Sequence, residues 1–188
     1  FSQMKVSDLC LMNQNGELVY GKERTGDAAQ SIHSNIYKSR PDINAVAHAH
    51  PMYGKTFSTL NKELKPITQD SCAFYKRTAT FTDYDGVANG PDEGINIAKA
   101  LADKDFLILQ NHGILTTGSM VETTLWYFLN MEEACKSQLL AEAVGEPIVI
   151  PDKVAIHTRD YVANDLSAFA SIQPLLDVLW EKEPEFLD

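Results

Sequence analysis

Two short apolar runs, residues 9–12 and 17–20, flank Asn13, Gln14, Asn15 and Gly16, and the pattern predicts a β-hairpin. Apolar positions at helical spacing then predict a helix over 28–39, with Asp27 as N-cap and Gln30 three residues on in the manner of a capping box. Pro41 and Asp42 stop it. The alternating apolar run 45–50 predicts a strand, followed by a short helix near 52–60. A further strand is expected to start at Pro66 or Ile67, and residues 83–86 read as a turn after the β-rich stretch 78–82. Pro91 can open a helix, where its missing N–H costs nothing, carrying Ile95, Ile97, Ala98 and Leu101. Residues 106–110 predict a buried strand, and 114–116 one that runs away from a corner at His112.

The clearest helix is expected to start at Ser119, whose hydroxyl would cap the first turn while Glu122 reaches back. Leu125, Phe128, Met131, Cys135 and Leu139 form a stripe at helical spacing, which predicts a core-facing surface. Gly145 and Pro147 end this helix. The tail is amphipathic again over 171–180 and closes on an acidic stretch, 181–188, that reads as a solvated face or a partner surface. Strands and helices alternate throughout without a linker or a repeat, which predicts one α/β domain over residues 1–188.

Composition narrows the classes. At 188 residues, 44% hydrophobic and 22% charged, the chain has the makeup of a globular protein with a sizeable core. A net charge of −10 argues against a nucleic-acid partner, which would require a basic stripe. Cys10, Cys72 and Cys135 are odd in number and widely spaced, so neither a disulfide framework nor a cysteine zinc site is indicated, and a reducing cytoplasm is the expected compartment. No apolar run of about 18 residues and no charged-then-apolar leader occurs, so no membrane association is expected. Phe1 is not preceded by Met, and the biological chain is expected to begin earlier.

The candidate chemistry lies in the histidines. Successive side chains of a strand alternate faces, so His48 and His50 project to one side about 7 Å apart. His112 closes a separate apolar strand and is followed by Gly113, which allows a close backbone approach. A zinc ion that does chemistry needs three protein ligands and an open fourth position. His48, His50 and His112 are the obvious set of three, against the alternative that each simply reaches solvent at a strand end. His33, inside a helical pattern with Ile32 and Ile36, and His157, in a late polar stretch, read as structural.

The segments SIHSNIYKSRPDINAVAHAH (31–50) and ILQNHGIL (108–115), with the capped helix after them, resemble the class II aldolase and adducin head domain family over nearly the whole chain. That family includes fuculose-phosphate aldolase, ribulose-phosphate epimerase, methylthioribulose-phosphate dehydratase and the non-enzymatic adducins. The resemblance implies a three-layer α/β/α sandwich around a mostly antiparallel sheet, Zn2+ or another divalent metal, and a homotetramer with sites between subunits. It places His48, His50 and His112 on the family's metal ligands, and it implies an aldolase-like lyase that cleaves a small sugar phosphate such as fuculose 1-phosphate. The proton-carrying glutamate of the aldolases falls on Ala29 here, and the segment that holds the substrate phosphate would lie before Phe1. Asp70 resembles the position where the dehydratase branch carries its catalytic glutamate; its alternative role is a strand-end carboxylate held by backbone amides. A dehydratase using Asp70 and an adducin-like interaction domain are the two rival expectations. Asp27 is explained by capping, and Tyr53, Tyr75 and Tyr84 could each line a pocket.

Overall fold

The computed structural model describes residues 4–21, 26–83 and 91–188. The hairpin forms from β1 (Leu11–Met12) and β2 (Leu18–Tyr20), paired antiparallel. Its turn is built by Asn13, whose side-chain oxygen accepts from the amides of Asn15 and Glu17, and by Gly16 at φ +82°, a conformation that glycine adopts without strain.

The central sheet has four strands in the order β3 (Ala45–Ala49), β6 (Gly113–Gly118), β5 (Phe106–Leu109), β4 (Thr78–Phe81). The β3–β6 and β6–β5 pairings are antiparallel and β5–β4 is parallel. Alternation along these strands sends residues to two different cores. Phe106, Ile108 and Ile114 face a core with Phe57, Phe74, Tyr127, Met131 and Cys135. Leu107, Leu109 and Leu115 face another with Ile32, Ile36, Ile97 and Leu101. The second core is covered by α1 (Asp27–Ser39) and α3 (Pro91–Leu101). On the other side lie α2 (Met52–Ser58), the 3-10 turn Asp70–Phe74 and the long α4 (Val121–Val144). The arrangement is the expected layered sandwich with a mostly antiparallel sheet.

Several boundaries differ from the sequence reading, each for a local reason. The first helix begins at Asp27 with Gly26 in the N-cap position, so Asp27 is a helical residue and not the cap. No strand starts at Pro66 or Ile67. Pro66 has no N–H to give a ladder, and the amides of Ile67 and Thr68 both donate to Ser71 Oγ at 3.0 and 2.9 Å. At α4 the N-cap is Met120 without a side-chain cap. The Ser119 hydroxyl that was expected there donates instead to Asp165 Oδ2 at 2.7 Å. The predicted stripe on α4 is partly displaced: Met131 and Cys135 are buried, but Tyr127, Ala134 and Gln138 share that face while Leu125 and Phe128 are only half-buried.

The tail holds two helices, α5 (Asp152–Val162) and α6 (Asp165–Lys182). The first buries only Ala155 and so shows little apolar periodicity. The second starts earlier than expected because Asn164 caps it, accepting from the amide of Ser167 at 2.9 Å, and it continues through Pro174. The expected turn at 83–86 lies, beyond Asp83, outside the described residues. Among the described residues no helix is long and apolar enough to cross a membrane.

Candidate metal centre

Three separate backbone devices bring His48, His50 and His112 together. His48 sits in the ladder of β3, opposite Leu115 of β6, and its Nδ1 lies 2.9 Å from the carbonyl oxygen of Ile114. A carbonyl can only accept, so that contact fixes the proton on Nδ1 and leaves the Nε2 lone pair free, the arrangement a metal-ligating histidine needs. His50 lies one residue past the end of the ladder, between Ala49 and Pro51, the N-cap of α2.

His112 belongs to the tight connection between β5 and β6, whose register pairs Leu109 with Gly113. Asn111 takes the left-handed conformation there, at φ 56°, which asparagine tolerates better than most residues. The loop is pinned at each residue: the amides of Gln110, Asn111 and His112 donate to the carbonyls of Phe81, Ser58 and Leu109 at 2.9, 3.0 and 3.0 Å.

The three rings meet edge to face, with centroid separations of 5.2 Å for His48 and His50, 4.8 Å for His48 and His112, and 4.5 Å for His50 and His112. One ring nitrogen from each lies within 4.8 Å of the others, and among the described residues this is the one group of three such ligating side chains. Burial pushes His48 down to about 4, and the neighbouring imidazoles add to that shift while the Ile114 contact opposes it. Burial also lowers His112, with His50 adding to it. Both rings are therefore neutral near pH 7, the form that binds metal. Three imidazoles with no carboxylate or thiol among them fit a borderline ion such as Zn2+, and leave coordination positions open for oxygen ligands.

The thiols stand apart from this chemistry. Burial raises Cys72, and it pushes Cys135 up to about 12, so both remain protonated.

An open groove of about 1060 Å³ runs along the free edge of β3, with His48, Val46, Leu125 and Phe128 on its walls. Ala29, which the resemblance sets at the aldolase glutamate position, is exposed and lines the same groove as His48 with a methyl group. His33 lines it too, and burial keeps its ring below the usual histidine range.

Asp70 opens the 3-10 turn Asp70–Phe74 and is exposed. It is not part of the three-histidine group. The amides of Ile67 and Thr68, just before that turn, donate to Ser71 Oγ. Tyr75 donates its hydroxyl to Asp152 Oδ1 at 3.0 Å, a contact that fastens α5. Tyr53 lies on α2, its ring 5.4 Å from the Lys136 ammonium. Tyr84 and the side chain of Asp27 lie outside the described residues. His157 is exposed on α5, away from the group of three.

Sequence reasoning passed over Glu132, whose two carboxylate oxygens accept from the amides of Tyr53 and Gly54 at 2.9 and 2.6 Å. The one signal was an acid directly after Met131, on the edge of an otherwise apolar helical face.

Comparison with known proteins gives a consistent picture. A model of the family described as class II aldolase and adducin N-terminal domain matches residues 1–139. The decarboxylase NovR of Streptomyces niveus is 36% identical over 186 residues, covering 98% of this chain and 69% of that protein. A Streptomyces roseochromogenus protein named 4-hydroxy-3-prenylphenylpyruvate oxygenase/4-hydroxy-3-prenylbenzoate synthase is also 36% identical over 186 residues, covering 98% of this chain and 67% of its own length. Among solved structures, the L-fuculose 1-phosphate aldolase of Glaciozyma antarctica superposes with a TM-score of 0.88 at 38% identity, over 98% of this chain and 73% of that one.

Proposed function

The chain belongs to the class II aldolase and adducin family, and on that premise we propose that it is a divalent-metal-dependent carbon–carbon lyase, cleaving a small sugar phosphate in a retro-aldol reaction. The observation that carries the proposal is the convergence of three imidazoles, His48, His50 and His112, at the end of the sheet. His48, His50 and His112 would hold a divalent ion, which would supply Lewis acidity toward a substrate carbonyl. The protein's own part is to present the three nitrogens in a fixed geometry. His48 contributes through Nε2 because Ile114 holds its Nδ1 proton, and His112 is fixed by the pinned loop. The expected substrate resembles fuculose 1-phosphate, in line with the name of the 38% identical structural relative. The expected assembly is a homotetramer.

One observation favours a second reading, decarboxylation. Retro-aldol cleavage needs a base for the hydroxyl that becomes the aldehyde, whereas a leaving carboxylate needs none. Ala29 supplies no base at the aldolase glutamate position, and a 36% identical relative is named a decarboxylase. Loss of carbon dioxide from a 3-oxo acid, like retro-aldol cleavage, leaves negative charge on a carbonyl oxygen, so the same three-histidine site serves either.

The test is a paired assay on the zinc-loaded protein. Aldehyde release from ketose 1-phosphates supports the aldolase, and carbon dioxide release from 3-oxo acids supports the second reading. A protein that binds metal and turns over neither substrate class contradicts both and supports an adducin-like interaction domain.

A further inference from the structure

We propose that Glu132 is a positioning residue for the metal centre, acting through the short helix α2. The inference rests on the reading of His48, His50 and His112 as ligands, and it concerns what holds them in place. Helix α2 begins at Met52, directly after His50 and Pro51. Its N-cap is Pro51, which has no side chain able to satisfy the free amides of the first turn. Glu132, reaching across from α4, takes that role with both oxygens, at 2.9 Å to Tyr53 N and 2.6 Å to Gly54 N. Hydrogen bonds from backbone amides to an ionised carboxylate are among the stronger ones available to a protein.

The consequence for the site follows from what α2 touches. At its start it adjoins His50, which lies beyond the last β3–β6 pair, Ala49 with Ile114, and so has no place in that register. In its middle, Gly54 lies against Ile114, where an added Cβ would stand 2.9 Å from the Ile114 side chain. The carbonyl of that same Ile114 orients His48. At its end, the carbonyl of Ser58 accepts from Asn111, next to His112. One seven-residue helix thus adjoins the supports of all three ligands, and Glu132 fixes the end of it that continues into His50.

The experiment is Co2+ titration of the purified protein and its variants, read by calorimetry and by the visible absorption of the bound ion, alongside thermal unfolding of the metal-free forms. Glu132→Gln keeps the shape but sets an NH2 group against one of the two backbone donors. It is expected to weaken Co2+ binding roughly 10- to 100-fold, the range for residues that support metal ligands, and to change the absorption band. The control is Gln138→Ala. Gln138 is a buried side chain on the same helix that ties the backbone of Glu63 and Lys65, a segment apart from α2. This variant is expected to lower the unfolding temperature while keeping Co2+ affinity within about twofold, well short of the 10-fold floor expected for Glu132→Gln.

Wild-type affinity and spectrum in Glu132→Gln would overturn the inference, as would an equal loss of affinity in Gln138→Ala. Should Glu132→Gln fail to fold, Gly54→Ala decides. It displaces α2 from Ile114 with the carboxylate intact and is expected to weaken binding in the same direction; unchanged affinity there overturns the proposal. A wild-type protein that takes up no Co2+ would overturn the ligand reading itself, an outcome distinct from the others.

Discussion

The Cβ that Gly113 lacks would stand 2.5 Å from the carbonyl oxygen of Ala49 and 3.1 Å from Cδ2 of His50. The first strand residue after His112 is therefore in close contact with the segment that carries His50, and only a hydrogen atom fits between them. Gly113→Ala is expected to force the two segments apart. The cost is on the order of 1–3 kcal/mol, as for other insertions into packed sites. Metal affinity should fall together with the unfolding temperature. A variant with wild-type metal affinity and stability, measured by calorimetry and thermal melts, would show that the close approach does not matter.

Acid sensitivity of the metal-free protein follows from His48. Its folded value of about 4 lies below the ordinary 6.5, so between these two values the unfolded chain binds more protons than the folded one. The stability linked to this ring is fully present above about pH 6.5 and is lost as the pH falls through about 4, on the order of 3 kcal/mol for such a shift. Urea unfolding between pH 7 and 4 should therefore show a steeper decline for the metal-free wild type than for His48→Asn. Asparagine retains a donor for Ile114 and does not titrate. Parallel declines would remove His48 as the source.

Asp70 separates the dehydratase from the other readings. It is exposed at the start of the 3-10 turn Asp70–Phe74 and stands outside the three-histidine group. If it carries a proton for dehydration, Asp70→Asn should lose on the order of a hundredfold in water-releasing turnover while keeping its metal. Turnover equal to the wild type rejects it as the proton carrier.

Assembly is measurable without a substrate. Helix α6 buries only Ala168 and Ile172, and leaves Leu175, Leu176 and Trp180 exposed among the described residues. Apolar groups so placed favour association. Sedimentation velocity at micromolar concentration should give a homotetramer, and a lone monomer would remove the tetramer from the account.

The sequence was most readable where side-chain pattern and backbone geometry coincide. The alternation of Ala45, Val46, Ala47 and His48 gave both the strand and the facing of its histidine, and the Asn-His-Gly run gave the corner, because the left-handed Asn111 and the crowded Gly113 leave few alternatives. It was least readable where a side chain serves a distant element. Ser119 looked like the cap of its own helix and instead binds Asp165, 46 residues away. Glu132, which the sequence pattern did not single out, binds α2, 78 and 79 residues away. Helix α5 left little periodic trace because only Ala155 is buried, and the strand expected from Pro66 or Ile67 did not form where Pro66 has no N–H to give a ladder. Long-range partners leave no local signature, and the layer that supports the three histidines is made of them.

The most direct test of the central claim is the divalent metal content per chain, by plasma emission, after loading with Zn2+ and removal of excess. One ion is expected per wild-type chain, and close to none in His48→Ala and His112→Ala, with the circular dichroism of all three proteins alike because the two apolar cores do not include these rings. A wild type that retains no ion, or variants that still hold one per chain, would contradict it.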